Sequence, residues 1–388
     1  MQITRMSVSN WRNFKQLDVA LDRRLFVVGP NASGKSNFLD LFQFLADLAG
    51  PGGGLSPALA RRGGFKRVQS LFARNHKRGA IVLDITLQDG EDRWHYVLEI
   101  KTERDGLHRP LVHKELVEHN DTVLLDRPTP EDEADRDRLT QTHLEQIAAN
   151  TSFRIVADHF AKTRYFHLVP QVIRDPSRSG GSPNDPFGGD FIAQINSVKP
   201  ERVRKAYVRR IEQALQSAVP QFESLTIDTD DAGRPHLIAG YRNWRSAPSN
   251  QTEREFSDGT LRLIGMLWTI VSSPAQGGVL LLEEPELSLD SGIVRTLPTV
   301  FAAALRERPQ QQLILSTHAP QLLDDEGVLP REVLVLRVGG DGTTADLLSD
   351  IAECAPLVEA DLPASEIIGS LIEPDDLRGL LGAVAVPR

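Results

Sequence analysis

The chain has 388 residues, 40% of them apolar, with 44 Lys+Arg against 53 Asp+Glu for a formal net charge of −9. It is long enough to bury a sizeable core, which excludes a peptide or a stapled mini-domain, and its bulk field argues against a protein coated in nucleic acid. The one cysteine, Cys354, forbids an internal disulfide and any multi-cysteine zinc motif; with no signal-peptide stretch and no run near the roughly 18 apolar residues of a membrane span, a soluble cytoplasmic protein without a membrane partner is expected.

Residues 2–8 read as a strand, Asn10-Trp11-Arg12-Asn13 as a turn, and a second apolar stretch runs to Leu21 before the compact run Leu25-Phe26-Val27-Val28, which ends at Gly29 as a buried strand should. From Ser36 the residues Phe38, Leu41, Phe42, Leu45 and Leu48 recur at helical spacing until Gly50-Pro51-Gly52 stops them. The span 61–78 holds seven Lys and Arg and no acid, a candidate anion-facing surface. Residues 80–88 and 94–101, separated by Asp89-Gly90-Glu91-Asp92, predict a hairpin, with 111–117 adding a strand to an antiparallel sheet. The charged, proline-containing span 126–138 reads as a solvated loop before a helix near 138–149.

The Gly- and Pro-rich span 174–190 is the most flexible-looking and marks an internal boundary. Beyond it Val203, Tyr207, Ile211, Leu215 and Ala218 define an amphipathic helix with a basic opposite face. Two further buried-strand runs follow, Val279-Leu280-Leu281-Leu282 and Leu313-Ile314-Leu315-Ser316, and residues 345–388 hold nine acids and two bases, so that this segment carries −7 of the net charge. No internal repeat and no extended coiled coil is present.

Gly29-Pro30-Asn31-Ala32-Ser33-Gly34-Lys35-Ser36 matches G-x-x-x-x-G-K-[ST] between an apolar strand and an amphipathic helix. A phosphate chain needs inward backbone N–H groups, a helix N-terminus, a mobile cation and a hydroxyl for magnesium, and glycines, Lys35 and Ser36 supply them. The run 279–282 ends in Glu283-Glu284-Pro285-Glu286, where one carboxylate can hold the magnesium shell and the next polarise water. Ser257-Asp258-Gly259-Thr260 opens an apolar helix, for which Ser257 is an ordinary N-cap, and His318 stands at the end of the strand near 313–317.

Taken together these elements resemble the ABC-type ATPase heads of the RecF, SMC and OLD class, and especially stand-alone bacterial AAA-family ATPases of the phage-defence type. The resemblance spans about 1–120 and 250–345 and rests on the Walker A set, the signature at Ser257, the Walker B run, the D-loop Ser288-Leu289-Asp290, the switch His318 and the opening Asn10-Trp11-Arg12-Asn13-Phe14. It implies an α/β P-loop NTPase fold: an ABC-ATPase head with an antiparallel β subdomain and a helical insertion. The division expected is lobe I over 1–175, the insertion over 176–255, lobe II over 256–345 and an acidic segment over 346–388.

By the same resemblance ATP and Mg2+ are the cofactors. Asn31, Ala32, Ser33, Gly34, Lys35, Ser36, Asn37 and Arg12 contact the nucleotide; Ser36, Glu283 and Gln171 serve magnesium, with Gln69 a second choice for the last role. Glu284 is the general base, Lys35 grips the β- and γ-phosphates and His318 senses the γ-phosphate. Ser257, Gly259 and Asp290 complete the site of a second subunit, giving a homodimer with sandwiched ATP, open to higher oligomers. Two departures stand out: Glu283 where aspartate is usual, and Asp258 where glycine is usual. The function implied is an ATP-hydrolysing switch for a separate effector protein in anti-phage defence; the alternatives are a RecF-like DNA-binding repair ATPase and a weakly hydrolysing scaffold.

Overall fold

The computed structural model describes residues 1–72, 79–103, 106–175, 185–244, 248–273 and 277–372. Along these the strands are β1 (Gln2–Trp11), β2 (Phe14–Ala20), β3 (Arg24–Val28), β4 (Ile81–Asp89), β5 (Asp92–Thr102), β6 (Pro110–His119), β7 (Thr122–Arg127), β8 (Arg164–Phe166), β9 (Phe222–Thr229), β10 (Pro235–Tyr241), β11 (Ser249–Thr252), β12 (Gly278–Glu283), β13 (Gln311–Ser316), β14 (Val333–Gly339) and β15 (Gly342–Leu347).

The apolar runs of β3, β12, β13 and β14 are buried on both faces, as the strands of a covered parallel sheet must be. Their side chains alternate between two cores. Leu25, Val27, Val279, Leu281, Ile314, Leu334 and Leu336 join one, with the helix Lys35–Ala49 and the inner face of an antiparallel sheet. Phe26, Val28, Leu280, Leu282, Leu313, Leu315, Val333 and Val335 join the other, with the helices Asp258–Val271 and Ser291–Glu307. A one-residue register slip would exchange the two sets, so the period of 2 fixes the pairing.

The central sheet has the order β15-β14-β3-β13-β12-β8, parallel except for the β14–β15 hairpin. The second sheet is antiparallel throughout, β2-β1-β4-β5-β6-β7. This is an α/β P-loop-type ATPase head. β3, β12 and β13 lie side by side, so the loops after Val28, Glu283 and Ser316 open on one edge, where open α/β sheets bind their ligands.

Several expectations need correction. The span expected to be a helical insertion carries, besides the helix Glu201–Ala218, a three-stranded antiparallel sheet β11-β10-β9. The run expected to be solvated is built around the fully buried Arg127 and Asp132. No helix forms near 138–149: a 3-10 turn, Arg136–Thr140, is followed by irregular chain up to the helix Arg154–Ala161. The backbone donors there have other partners, since Glu115 accepts from the His143 and Leu144 N–H groups at 2.7 and 3.0 Å and Glu145 from the Thr142 N–H at 3.1 Å. In the acidic C-terminal segment Leu348, Ile351, Ile367 and Ile368 are core residues. Residues 73–78 of the basic stretch, 176–184 of the flexible-looking span and 373–388 of the acidic segment lie outside the described residues. No described helix is long and apolar enough to cross a membrane.

Candidate active site

The chain leaves β3 through Gly29 and re-enters regular structure at Lys35, the first residue of the helix Lys35–Ala49. Gly34 is required twice: its φ is 101°, and a Cβ there would collide with the Asn13 carboxamide. That carboxamide holds the loop in place. Asn13 Nδ2 donates to the Ser33 carbonyl at 2.8 Å, Thr343 Oγ1 donates to the same oxygen at 2.9 Å, and Asn37 Nδ2 donates to Asn13 Oδ1 at 2.7 Å. Asn31 and Ala32 form an exposed lip, whereas Ser33 Oγ is buried without a hydrogen-bond partner among the described residues.

The Lys35 ammonium is folded back into the loop, donating to the carbonyls of Gly29 and Pro30 at 2.8 and 3.1 Å, with His318 Nδ1 3.4 Å away. Burial lowers its pKa to about 8, against the pull of Glu284, Glu283 and Glu286. Ser36 Oγ donates to Glu283 Oε1, and the Tyr165 hydroxyl donates to Glu283 Oε2, so both oxygens of that carboxylate are fixed. Burial, and after it Glu283, raises the Tyr165 pKa and keeps the phenol a donor.

Glu284 has a φ of 47°, in the left-handed region that a residue with a Cβ occupies at a cost of roughly 1 kcal/mol. Its N–H donates to the Ser316 carbonyl at 3.0 Å, and its Oε1 is 3.0 Å from His318 Nε2. Beneath it Glu286 is buried, and Oε1 accepts from Thr317 Oγ1 at 2.7 Å and from the His318 N–H at 2.9 Å. Burial pushes the Glu286 carboxyl up. A buried acid thus seats the turn that presents the histidine.

The residues expected to form a signature, Ser257 to Thr260, lie at the start of the helix Asp258–Val271. Ser257 is exposed and caps that helix, Oγ accepting from the Thr260 N–H at 3.1 Å. A Cβ on Gly259 would collide with the Ser288 carbonyl, so the start of this helix touches the loop Ser288-Leu289-Asp290 within one chain. Asp258 pairs with Arg174 at 2.6 Å, and Asp290 is exposed just before the helix Ser291–Glu307.

The five residues Lys35, Ser36, Glu283, Glu284 and His318 thus stand in one polar cluster of two hydrogen-bonded groups, Lys35 with His318 and Glu284, and Ser36 with Glu283 and Tyr165. Three expected members do not join it. Gln171 Nε2 is bonded to Asp258 Oδ2 at 3.5 Å, because the helix Pro170–Arg174 lies against the helix Asp258–Val271 rather than the end of β12. Gln69 is a buried backbone tie, donating to the Gly79 carbonyl at 2.9 Å. Arg12 is held by Asp40 at 2.9 and 2.5 Å, on the helix behind the loop. Sequence reasoning missed Tyr165, which reads as an ordinary apolar-strand residue, and Thr343. Asn13 and Glu286 were legible only as neighbours inside motifs.

The fold is shared with an SmcHead solved bound to the C-winged helix domain of ScpA: TM-score 0.51, 12% identity, 89% of this chain and 98% of that one. An SMC head domain from Thermotoga maritima aligns over 89% of this chain and 99% of that one, at 13% identity and a TM-score of 0.47. A DNA replication and repair protein RecF of Roseiflexus castenholzii (strain DSM 13941 / HLO8) is 30% identical over 107 residues, 27% of this chain and 26% of that protein's length. The match to RecF thus spans about a quarter of either protein. The family described as AAA domain, putative AbiEii toxin, Type IV TA system matches residues 25–324, about three-quarters of the chain, and the chain belongs to that family.

Proposed function

We propose that this head binds and hydrolyses Mg–ATP, closes on ATP into a head-to-tail homodimer and so controls a separate effector protein. The observation that carries the reading is the convergence of Lys35, Ser36, Glu283, Glu284 and His318 on the edge where β3, β12 and β13 end. These residues fit a magnesium-bound triphosphate. The Lys35 ammonium now satisfies itself on loop carbonyls, the Ser33 hydroxyl is an orphan, and one hydroxyl and one carboxylate oxygen meet at Ser36 and Glu283. Among the described residues no cluster of three His, Cys, Asp or Glu forms an all-protein cage, which suits a magnesium held largely by phosphate and water. The metal would neutralise phosphate charge.

Lys35 turns from the loop carbonyls to the β- and γ-phosphates, while Asn31 to Asn37 cradle the chain. Ser36 and Glu283 hold the metal side, and Tyr165 keeps Glu283 oriented. Glu284 accepts the proton of the attacking water, and His318, hydrogen-bonded to it, reports on the γ-phosphate. Ser257 and Asp290 are exposed and Gly259 is half-buried beside them, all outside this cluster, which supports a contribution to a second subunit's nucleotide. The family's description, AAA domain, putative AbiEii toxin, Type IV TA system, supports a role within a toxin–antitoxin pair, where one protein acts on or through another.

The partial match to RecF favours a second reading, a DNA-binding repair ATPase. Half of the described basic stretch is taken up, since Arg61 pairs with Asp47 and Arg62 with both Asp40 and Asp47 at 2.7 Å, which leaves the exposed Lys66 and Arg67 to it. In the basic helix, Lys205 pairs with Glu201 at 2.9 Å and Arg210 with Glu307 at 3.5 Å. The test of the main reading is single-turnover ATP hydrolysis. Lys35→Ala is expected to lose nucleotide binding, and Glu284→Gln to keep binding while hydrolysis falls by roughly a hundredfold or more. An unchanged rate in Glu284→Gln would remove the base assignment.

A further inference from the structure

The signature's Asp258 poses an electrostatic problem that the fold itself answers. A carboxylate in the first turn suits its own helix, but the same turn is the one that, on the reading above, must receive another subunit's triphosphate. A bare aspartate there would repel the ligand. It is not bare: Arg174 Nη2 lies 2.6 Å from Asp258 Oδ1, and Gln171 Nε2 lies 3.5 Å from Oδ2. The same Arg174 nitrogen donates to the Phe256 carbonyl at 2.6 Å, so one guanidinium spans the residues on either side of Ser257.

The two donors are carried by one short helix, Pro170–Arg174, which packs on the signature helix. Arg262, one turn further along the signature helix, is the next cation in reach of Asp258, and it makes no ion pair among the described residues. Arg262 adds a longer-range attraction, but the direct ion pair to Asp258 is made by Arg174. We infer that Arg174 is a positioning residue that compensates Asp258 and fixes the signature turn, so that this surface can close on the nucleotide of a second copy of the chain.

The inference rests on the proposed ATP-dependent dimer, and the experiment separates the two. Dimer dissociation constants are measured with ATP and Mg2+ by analytical ultracentrifugation in the Glu284→Gln background, and nucleotide affinity of the monomer with a fluorescent ATP. Arg174→Ala is expected to weaken the dimer at least roughly tenfold, the scale of one uncompensated like charge in partly screened surroundings, with monomer affinity unchanged. Adding Asp258→Asn to Arg174→Ala should restore most of the loss, Arg174→Lys should lose less than Arg174→Ala, and raised salt should narrow the Arg174→Ala defect. Rescue by removing the opposing charge is a result that a merely structural role would not give. The inference is overturned if Arg174→Ala dimerises like its parent, or if the double variant is no better than Arg174→Ala. A parent that stays monomeric overturns the dimer reading itself and this inference with it.

Discussion

On the proposed reading Glu283 is the magnesium-side carboxylate, and the Tyr165 hydroxyl fixes its second oxygen. Outer hydrogen bonds to a metal's carboxylate typically change affinity by about 10–100-fold. Tyr165→Phe is therefore expected to raise the Mg2+ concentration needed for half-maximal ATP binding about tenfold or more, with ATP affinity at saturating Mg2+ little altered. A magnesium titration of fluorescent-ATP binding reads this directly; an unshifted midpoint would make the phenol mere packing. The motif residues were legible in the sequence because each stands at a strand end or a glycine turn, where spacing alone implies chemistry. Tyr165 was not, because its partner is 118 residues away and nothing local marks a strand tyrosine as a donor.

Between residue and molecule stands the packing of single elements. The end of β7 is anchored by Arg127, which bonds Glu115 Oε2 at 3.1 Å and the Asp132 carboxylate at 2.9 Å, all three side chains fully buried. Removing one partner of such a group leaves uncompensated buried charge, so Arg127→Met is expected to cost about 3–5 kcal/mol in urea denaturation. A loss below about 1 kcal/mol would show that the group is solvated after all. This cluster also explains the missing helix near 138–149. Glu115 lies on a strand far from that span in sequence, and its claim on the backbone N–H groups there is invisible to periodicity.

The helix Arg154–Ala161 carries His159, buried with Nε2 unpartnered among the described residues, and burial lowers its pKa to about 4. A base with a depressed folded pKa stabilises the native state above its unfolded pKa of about 6.5, and that stability is lost as pH falls towards 4, by up to about 3 kcal/mol. Urea midpoints measured between pH 7 and pH 4.5 should drop more steeply in the wild type than in His159→Leu. Equal slopes would place the acid sensitivity in other groups.

At the scale of the molecule, the central sheet divides two cores by strict alternation, and this much was written in the apolar runs of β3, β12, β13 and β14. The three-stranded sheet β11-β10-β9 was not, because its flanking strands β9 and β11 carry polar residues on both faces and β10 alone is a short buried run between Pro235 and Tyr241. Charge is likewise a property of the folded whole. Basic residues that look like a nucleic-acid surface in the sequence are in part tied to Asp40, Asp47, Glu201 and Glu307. The ATPase rate is accordingly expected to be indifferent to linear duplex DNA at moderate salt. Stimulation that fades steeply as salt rises would instead mark phosphate contacts and favour the repair reading.

The central claim is that ATP closes two heads on each other, and the mass of Glu284→Gln in solution tests it most directly. With ATP and Mg2+, light scattering on a sizing column should show twice the monomer mass of 42.9 kDa, the monomer alone without nucleotide, and no ATP-dependent dimer once Ser257→Arg is added. A monomer that binds ATP without changing mass, or a dimer untouched by Ser257→Arg, would contradict the account.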